Sequence, residues 1–181
     1  MEECWLGNYC NKIDCDKFCI RKYKTEYLFN EANISPKQRV PITLYPETDS
    51  DEECYVKLSE MTNNITDFIN EGKNLYLHSK NCGNGKTSWA LRFAQKYISK
   101  IWATSSLKCR VLFINVPRFL IALKDNISNK SDYVEHIKEN VVDCDLVIWD
   151  EIGTKGLTEF EHENILNIIN ARIDGGKSNI Y

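Results

Sequence analysis

Leu75-Tyr76-Leu77-His78-Ser79-Lys80-Asn81-Cys82-Gly83-Asn84-Gly85-Lys86-Thr87 runs from an apolar segment into a glycine-bearing loop and closes on Gly-Lys-Thr. A helical pattern follows at once, with Ala90, Phe93, Ala94, Tyr97, Ile98, Ile101 and Trp102 on one face. Strand, loop and helix in that order make a phosphate cradle, because the first amides of a helix point at an anion. Gly83 and Gly85 allow the main chain to curl so that successive N–H groups turn inward. The expected nucleotide-binding residues are Cys82, Gly83, Asn84, Gly85, Lys86, Thr87 and Ser88. Lys86 is placed to reach the β- and γ-phosphates, and the Thr87 hydroxyl to sit on Mg²⁺. One position departs from the GxxxxGK[ST] pattern, since Lys80 stands where its first glycine belongs.

A second motif completes the first. In Asp145-Leu146-Val147-Ile148-Trp149-Asp150-Glu151, four apolar residues lead into two carboxylates. An uninterrupted apolar run is the mark of a strand covered on both faces of a parallel sheet. Ligands of open α/β sheets bind at the carboxyl ends of such strands. Asp150 is expected to hold Mg²⁺, and Glu151 to polarise the water that attacks the γ-phosphate. A third apolar strand, Val111 to Val116, lies between the motifs, and Pro117 opens a helix to about Leu123.

Hydrophobic content of 43% and charged content of 27% fit an ordinary globular chain. No apolar run approaches the roughly 20 residues that span a bilayer. The acidic start Met1-Glu2-Glu3 lacks a signal-peptide layout, so the expected setting is the cytoplasm, with no membrane partner. The net charge is −3, so nucleic acid, if bound, is contacted locally. Lys17, Arg21, Lys22 and Lys24 around Phe18 and Tyr23 offer one such patch; a solvated helix face explains them equally well.

Cys4, Cys10, Cys15 and Cys19 crowd into a short segment too poor in apolar residues for its own core. Thiols in a reducing compartment at that density suggest a tetrahedral structural Zn²⁺ site. Free thiols, or a site built from three of the four, fit the loose spacing too. The chain thus divides into a zinc-binding head at 1–35, a connector at 36–55 and a nucleotide-binding core at 56–181. Phe18 to Asn30 reads as a helix that packs Phe18, Tyr23, Tyr27 and Leu28. Glu47 to Glu53 reads as the end of an extended connector, and Val56 to Asn70 as one helix. Ser131 or Asp132 caps a helix to about Val141. Thr158 caps another with Phe160, Ile165, Leu166, Ile168 and Ile169 as its apolar residues, ending at Asp174-Gly175-Gly176 before a strand from Ser178.

Leu75 to His78, Val111 to Pro117, Asp150-Glu151-Ile152-Gly153 and the helix Ile165 to Arg172 together resemble replicative-helicase loaders of the DnaC/DnaI type. These are AAA+ ATPases close to the IstB transposition helpers. The resemblance covers about residues 56–181, and the cysteine segment looks like the helicase-binding head of some phage and Gram-positive members. It implies a P-loop α/β fold with a five-stranded parallel sheet flanked by helices, here incomplete at its C-terminus. It also implies ATP and Mg²⁺ as ligands, a replicative helicase hexamer and single-stranded DNA as partners, and a homo-oligomer with ATP at the subunit interface. A polar residue at the tip of the inserted strand can restrain the catalytic glutamate in such ATPases. Asn115 has that place, and a plain helix cap for Asn115 is the competing reading. Arg172, inside a helix, reads as a surface or packing residue, so the trans-acting arginine of the family has no counterpart before Tyr181. The chain is accordingly expected to hydrolyse ATP poorly by itself. An IstB-like helper acting on duplex DNA and a non-catalytic nucleotide-binding adaptor are the alternatives.

Overall fold

The computed structural model describes residues 19–40, 43–79, 83–126, 130–153 and 156–181. Cys4, Cys10, Cys15, Lys17, Phe18, Lys80 and Cys82 lie outside them.

Four parallel strands form the sheet: β1 (Asn74–Leu75), β2 (Val111–Asn115), β3 (Leu146–Asp150) and β4 (Ser178–Ile180), in the order β1-β4-β3-β2. Parallel neighbours require helical crossovers. These are α4 (Lys86–Ile101) after β1, α5 (Val116–Asp125) and α6 (Asp132–Asn140) after β2, and α7 (Glu159–Asp174) after β3. The resemblance implied five strands, against four among the described residues. Because both faces are covered, Val111 to Ile114 and Leu146 to Trp149 are buried without a break. Val111, Phe113, Leu146 and Ile148 point toward α4, packing with its Phe93, Ala94 and Ile98. Leu112, Ile114, Val147 and Trp149 point the other way, against Phe119, Ile137 and Ile165 of α5, α6 and α7. Backbone pairing of β1 with β4 runs past the strand ends, with Tyr181 N donating to Leu75 O and Leu77 N to Tyr181 O, both at 2.8 Å.

The region before β1 differs from the sequence reading in three ways. First, α1 (Ile20–Glu31) buries Thr25, Leu28 and Phe29, whereas Tyr23 and Tyr27 face solvent. Positions 25, 28 and 29 share one helical face and dock it, with Ala32 and Ile34, on the α4 side of the core. Residues expected in a separate head therefore belong to the same apolar cluster as α4. Ala32 O accepts a hydrogen bond from Phe113 N at 2.8 Å, which covers part of the outer edge of β2. Second, the acidic run opens a helix. Thr48 precedes α2 (Asp49–Asn63), and its N and Oγ1 both donate to Asp51 Oδ2, at 3.1 and 2.7 Å. Asp49, Asp51 and Glu52 occupy the first turn, where the positive end of the helix dipole favours carboxylates. Third, the single helix expected to reach Asn70 is broken at Asn64, and α3 (Ile65–Asn70) follows.

Helix α7 hides its buried face from a hydropathy reading, because two of the buried residues are charged. Phe160 and Leu166, expected to pack, are 52% and 42% exposed, while Glu161 and Arg172 are buried beside Ile165. Arg172 has no exposed surface at all, and burial pushes its guanidinium below the usual arginine value. Its donors are spent on oxygens: Val141 O at 2.5 Å, Cys144 O at 2.9 Å, Ser178 O at 2.6 Å and Asn179 Oδ1 at 2.8 Å. Val141 and Cys144 follow the C-terminal end of α6, where the helix dipole welcomes a cation. Asn179 Oδ1 also accepts from Trp149 Nε1 at 3.1 Å, and Asn179 Nδ2 donates to Asn74 Oδ1 at 2.8 Å. One guanidinium thus joins α6, α7, β3, β4 and β1. No helix among the described residues is long and apolar enough to cross a membrane.

Glu161 ties α7 to α5. Its carboxylate receives Lys124 Nζ at 2.9 Å and the Thr158 N and Oγ1 at 2.8 Å each. Lys124 first, then the Thr158 amide and hydroxyl, hold it down from 4.5 to about 2.

Two outcomes are expected. Arg172→Met keeps the side-chain length but orphans several buried carbonyls, at about 1–3 kcal/mol each. It should lower the urea midpoint by the equivalent of at least about 3 kcal/mol. For Glu161 the folded carboxylate has the lower pKa, so its stabilisation is full above pH 4.5 and disappears as pH falls toward 2. The melting-temperature gap between the wild type and Glu161→Gln should be present at neutral pH and close across that window.

Candidate nucleotide site

The site sits at the carboxyl ends of the strands. Helix α4 starts at Lys86, and its N-cap Gly85 has φ +81°, a left-handed turn that only glycine adopts at little cost. Gly83, at φ +82°, makes a second such turn. A Cβ on Gly85 would stand 3.5 Å from Leu44 Cδ2, so Leu44 lines the back of the loop. Both glycines thus hold positive φ values that would strain a residue with a side chain. Ser88 occupies the first turn of α4. Cys82 lies outside the described residues. Lys86 Nζ donates to Asn84 Oδ1 at 2.9 Å, and Asn84 Nδ2 is bonded to Ser79 Oγ.

The two motifs meet. Thr87 Oγ1 donates to Asp150 Oδ1 at 2.8 Å, across 63 residues of chain. β2 and β3 pair in a register that sets Asn115 opposite Asp150. Asn115 then serves two neighbours with the two ends of one amide. Its Oδ1 accepts from Arg118 N at 3.1 Å, which caps α5, and its Nδ2 donates to Glu151 Oε2 at 2.9 Å. The oxygen must face the Arg118 amide, so the NH₂ must face the carboxylate. Cap and glutamate contact, weighed in the sequence as alternatives, coexist. Glu151 is exposed and holds a left-handed backbone, φ +60°, that non-glycine residues seldom adopt.

Asp150 is half-buried at the strand tip. Burial pushes its carboxyl above the usual value, and the nearby Glu151 charge adds to this. Hydrogen bonds from Thr87 and Asn115 pull the other way. A carboxylate whose charge is disfavoured, next to a hydroxyl and a second acid, suits a divalent cation, which would lower its pKa again. Thr87 and Asp150 are the residues that would hold Mg²⁺.

Such a cradle, with an acidic strand tip bonded to its threonine, is the layout of an ATP-binding P-loop domain. Residues 44–180 match the family of IstB-like ATP binding proteins. The chain belongs to that family. No curated protein matches it. Its parallel sheet between helical layers fits the P-loop AAA+ architecture of IstB-like domains.

Three contributors to this IstB-like site were not read from the sequence. Leu44 touches the loop through the fold, Ser79 bonds Asn84 from five residues upstream, and no spacing rule points to either. The third is a shallow groove between α5 and the start of α7, which opens beside Glu151. Val116, Pro117, Leu120, Ile121 and Leu157 line it.

The expected zinc ligands are not brought together by anything described. Cys19 is buried at the N-cap of α1, where its Sγ accepts from Lys22 N at 3.5 Å. Cys4, Cys10 and Cys15 lie outside the described residues. Among the described residues no group of three or more His, Cys, Asp or Glu could hold a metal.

Gly85→Ala places a Cβ on a left-handed residue, at a cost of about 1–2 kcal/mol. Backbone relief at that point would turn the first amides of α4 away from the cradle. The variant should stay folded by circular dichroism, melt a few degrees lower, and bind ATP at least about tenfold more weakly in a fluorescent-nucleotide titration.

Proposed function

We propose that this IstB-like protein is an Mg-ATP hydrolase that loads a replicative helicase onto single-stranded DNA. The observation that carries the ATPase reading is the pair of bonds at the strand tips, Thr87 to Asp150 and Asn115 to Glu151. Together they assemble a cation site and a carboxylate base at the mouth of a phosphate cradle. Mg²⁺, when bound, neutralises charge on the β- and γ-phosphates. Lys86 adds its ammonium to the same oxygens, and the first amides of α4 hold the triphosphate in line. Glu151 orients and deprotonates the attacking water. While Asn115 holds Glu151, one carboxylate oxygen is engaged, and releasing that bond readies it to act as the base. An arginine from a neighbouring subunit completes the charge stabilisation, so turnover depends on assembly.

The loader assignment rests on the resemblance and on the cysteine-rich start of the chain. In this reading Cys4, Cys10, Cys15 and Cys19 hold a structural Zn²⁺, and the head they form grips the helicase hexamer. Basic and aromatic groups together would contact the single strand. A helper ATPase acting on duplex DNA in transposition is the second reading, favoured by the family match itself. The net charge of −3 favours the loader over a broad duplex contact.

Glu151→Gln should bind ATP as the wild type does and hydrolyse it at least about 100-fold more slowly. Equal turnover would remove Glu151 from its role. A pull-down with a replicative helicase, with and without ATP and a zinc chelator, tests the rest. Helicase capture that is lost on chelation supports the loader. Capture of duplex DNA without helicase would favour the transposition helper.

A further inference from the structure

Asn84 lies two residues before the start of α4, in the exposed crook of the loop, and its side-chain oxygen receives the Lys86 ammonium at 2.9 Å. Residues two apart meet here because Gly85 between them is left-handed and folds the chain back on itself. The amide is held from behind as well, by its Nδ2 bond to Ser79 Oγ on the segment that leads out of β1. The Asn84 oxygen is therefore aimed at the lysine by two independent constraints. Neither constraint uses a residue of the strand tips.

We propose that Asn84 sets nucleotide affinity by acting as a stand-in for phosphate oxygen beside Lys86. The proposal rests on the nucleotide reading above and concerns how that site is tuned. Lys86 satisfies one of its three N–H donors on Asn84. In the proposed exchange it gives that bond up to reach the β- and γ-phosphates, so each binding event trades an amide oxygen for a phosphate oxygen. The exchange is downhill, since a hydrogen bond to an ionised acceptor is stronger than one to a neutral amide. It is still a cost, and it lowers affinity by the worth of the bond that is surrendered. Asn84 lies outside the left-handed region, so alanine takes its place without backbone strain.

The opposite role would be to hold Lys86 ready for the phosphates, and then removing the amide would weaken binding. The two roles differ in sign. The test titrates a fluorescent ATP analogue with Mg²⁺ into the wild type, Asn84→Ala, Lys86→Ala and the double variant. A net hydrogen bond of this kind corresponds to about a two- to tenfold change in Kd. Asn84→Ala should therefore bind about two- to tenfold more tightly than the wild type. In the Lys86→Ala background the same change should leave Kd unaltered, because the contact it removes is already gone. Adenosine, which carries no phosphate, should show no gain. An Asn84→Ala protein that binds no more tightly than the wild type overturns the proposal, and so does an equal gain without Lys86. A wild type that binds no nucleotide overturns the underlying site assignment, and this proposal with it. That result is distinguishable, because it appears before any variant is compared.

Discussion

The parallel pairing of β2 with β3 brings Asn115 to the level of Asp150, and the rest of the site is arranged around that register. A slip of one residue would turn Asn115 and Asp150 to opposite faces and swap the two core layers. The register is secured by packing on both sides at once. Leu112, Ile114, Val147 and Trp149 are locked against α5, α6 and α7, while Val111, Phe113, Leu146 and Ile148 are locked against α4. Apolar burial at both faces leaves the polar chemistry only the strand ends. There the chain turns out of the sheet and its acids meet the start of α4.

The core needs one polar device to hold its helices on the sheet, and Arg172 is that device. A charge with no exposed surface is tolerable because carbonyls after α6 and in β4, with the Asn179 amide, take up its donors. Asp145, at the opposite end of β3 from Asp150, is also held by several partners. It binds Arg110 and accepts the Tyr97 hydroxyl at 2.7 Å, while Lys177 lies 3.7 Å away. Both ends of β3 are therefore fixed by side chains from distant parts of the sequence.

What was legible beforehand follows from the range of the interactions. The start of α4, the strand ending in Asp150-Glu151, the intervening strand and the α7 cap are written in local spacing, and they stand where expected. The parts that escaped depend on long-range packing. Tyr23 and Tyr27 look as able to pack as Leu28 and Phe29 until the position of α4 decides which face is inside. The acids after Thr48 look like a charged connector, because a capping interaction is visible only once Asp51 turns back on Thr48. Helix α7 buries Glu161 and Arg172 in place of Phe160 and Leu166, and no hydropathy pattern foretells that. At the site, chemistry-bearing residues were readable from motif spacing, whereas Leu44 and Ser79 were not.

The covering of β2 by Ala32 has a consequence for how the protein can be divided. An outer strand with bare amides invites another chain to add itself, a route to misassembly that folded proteins block. Here the blocking carbonyl belongs to the turn after α1, next to Leu28, Phe29 and Ile34, which also fill the α4 side of the core. A protein shortened at residue 35 would lose that plug together with part of its own interior. Helix α1 is thus fastened, through the turn that follows it, to the strand that carries Asn115.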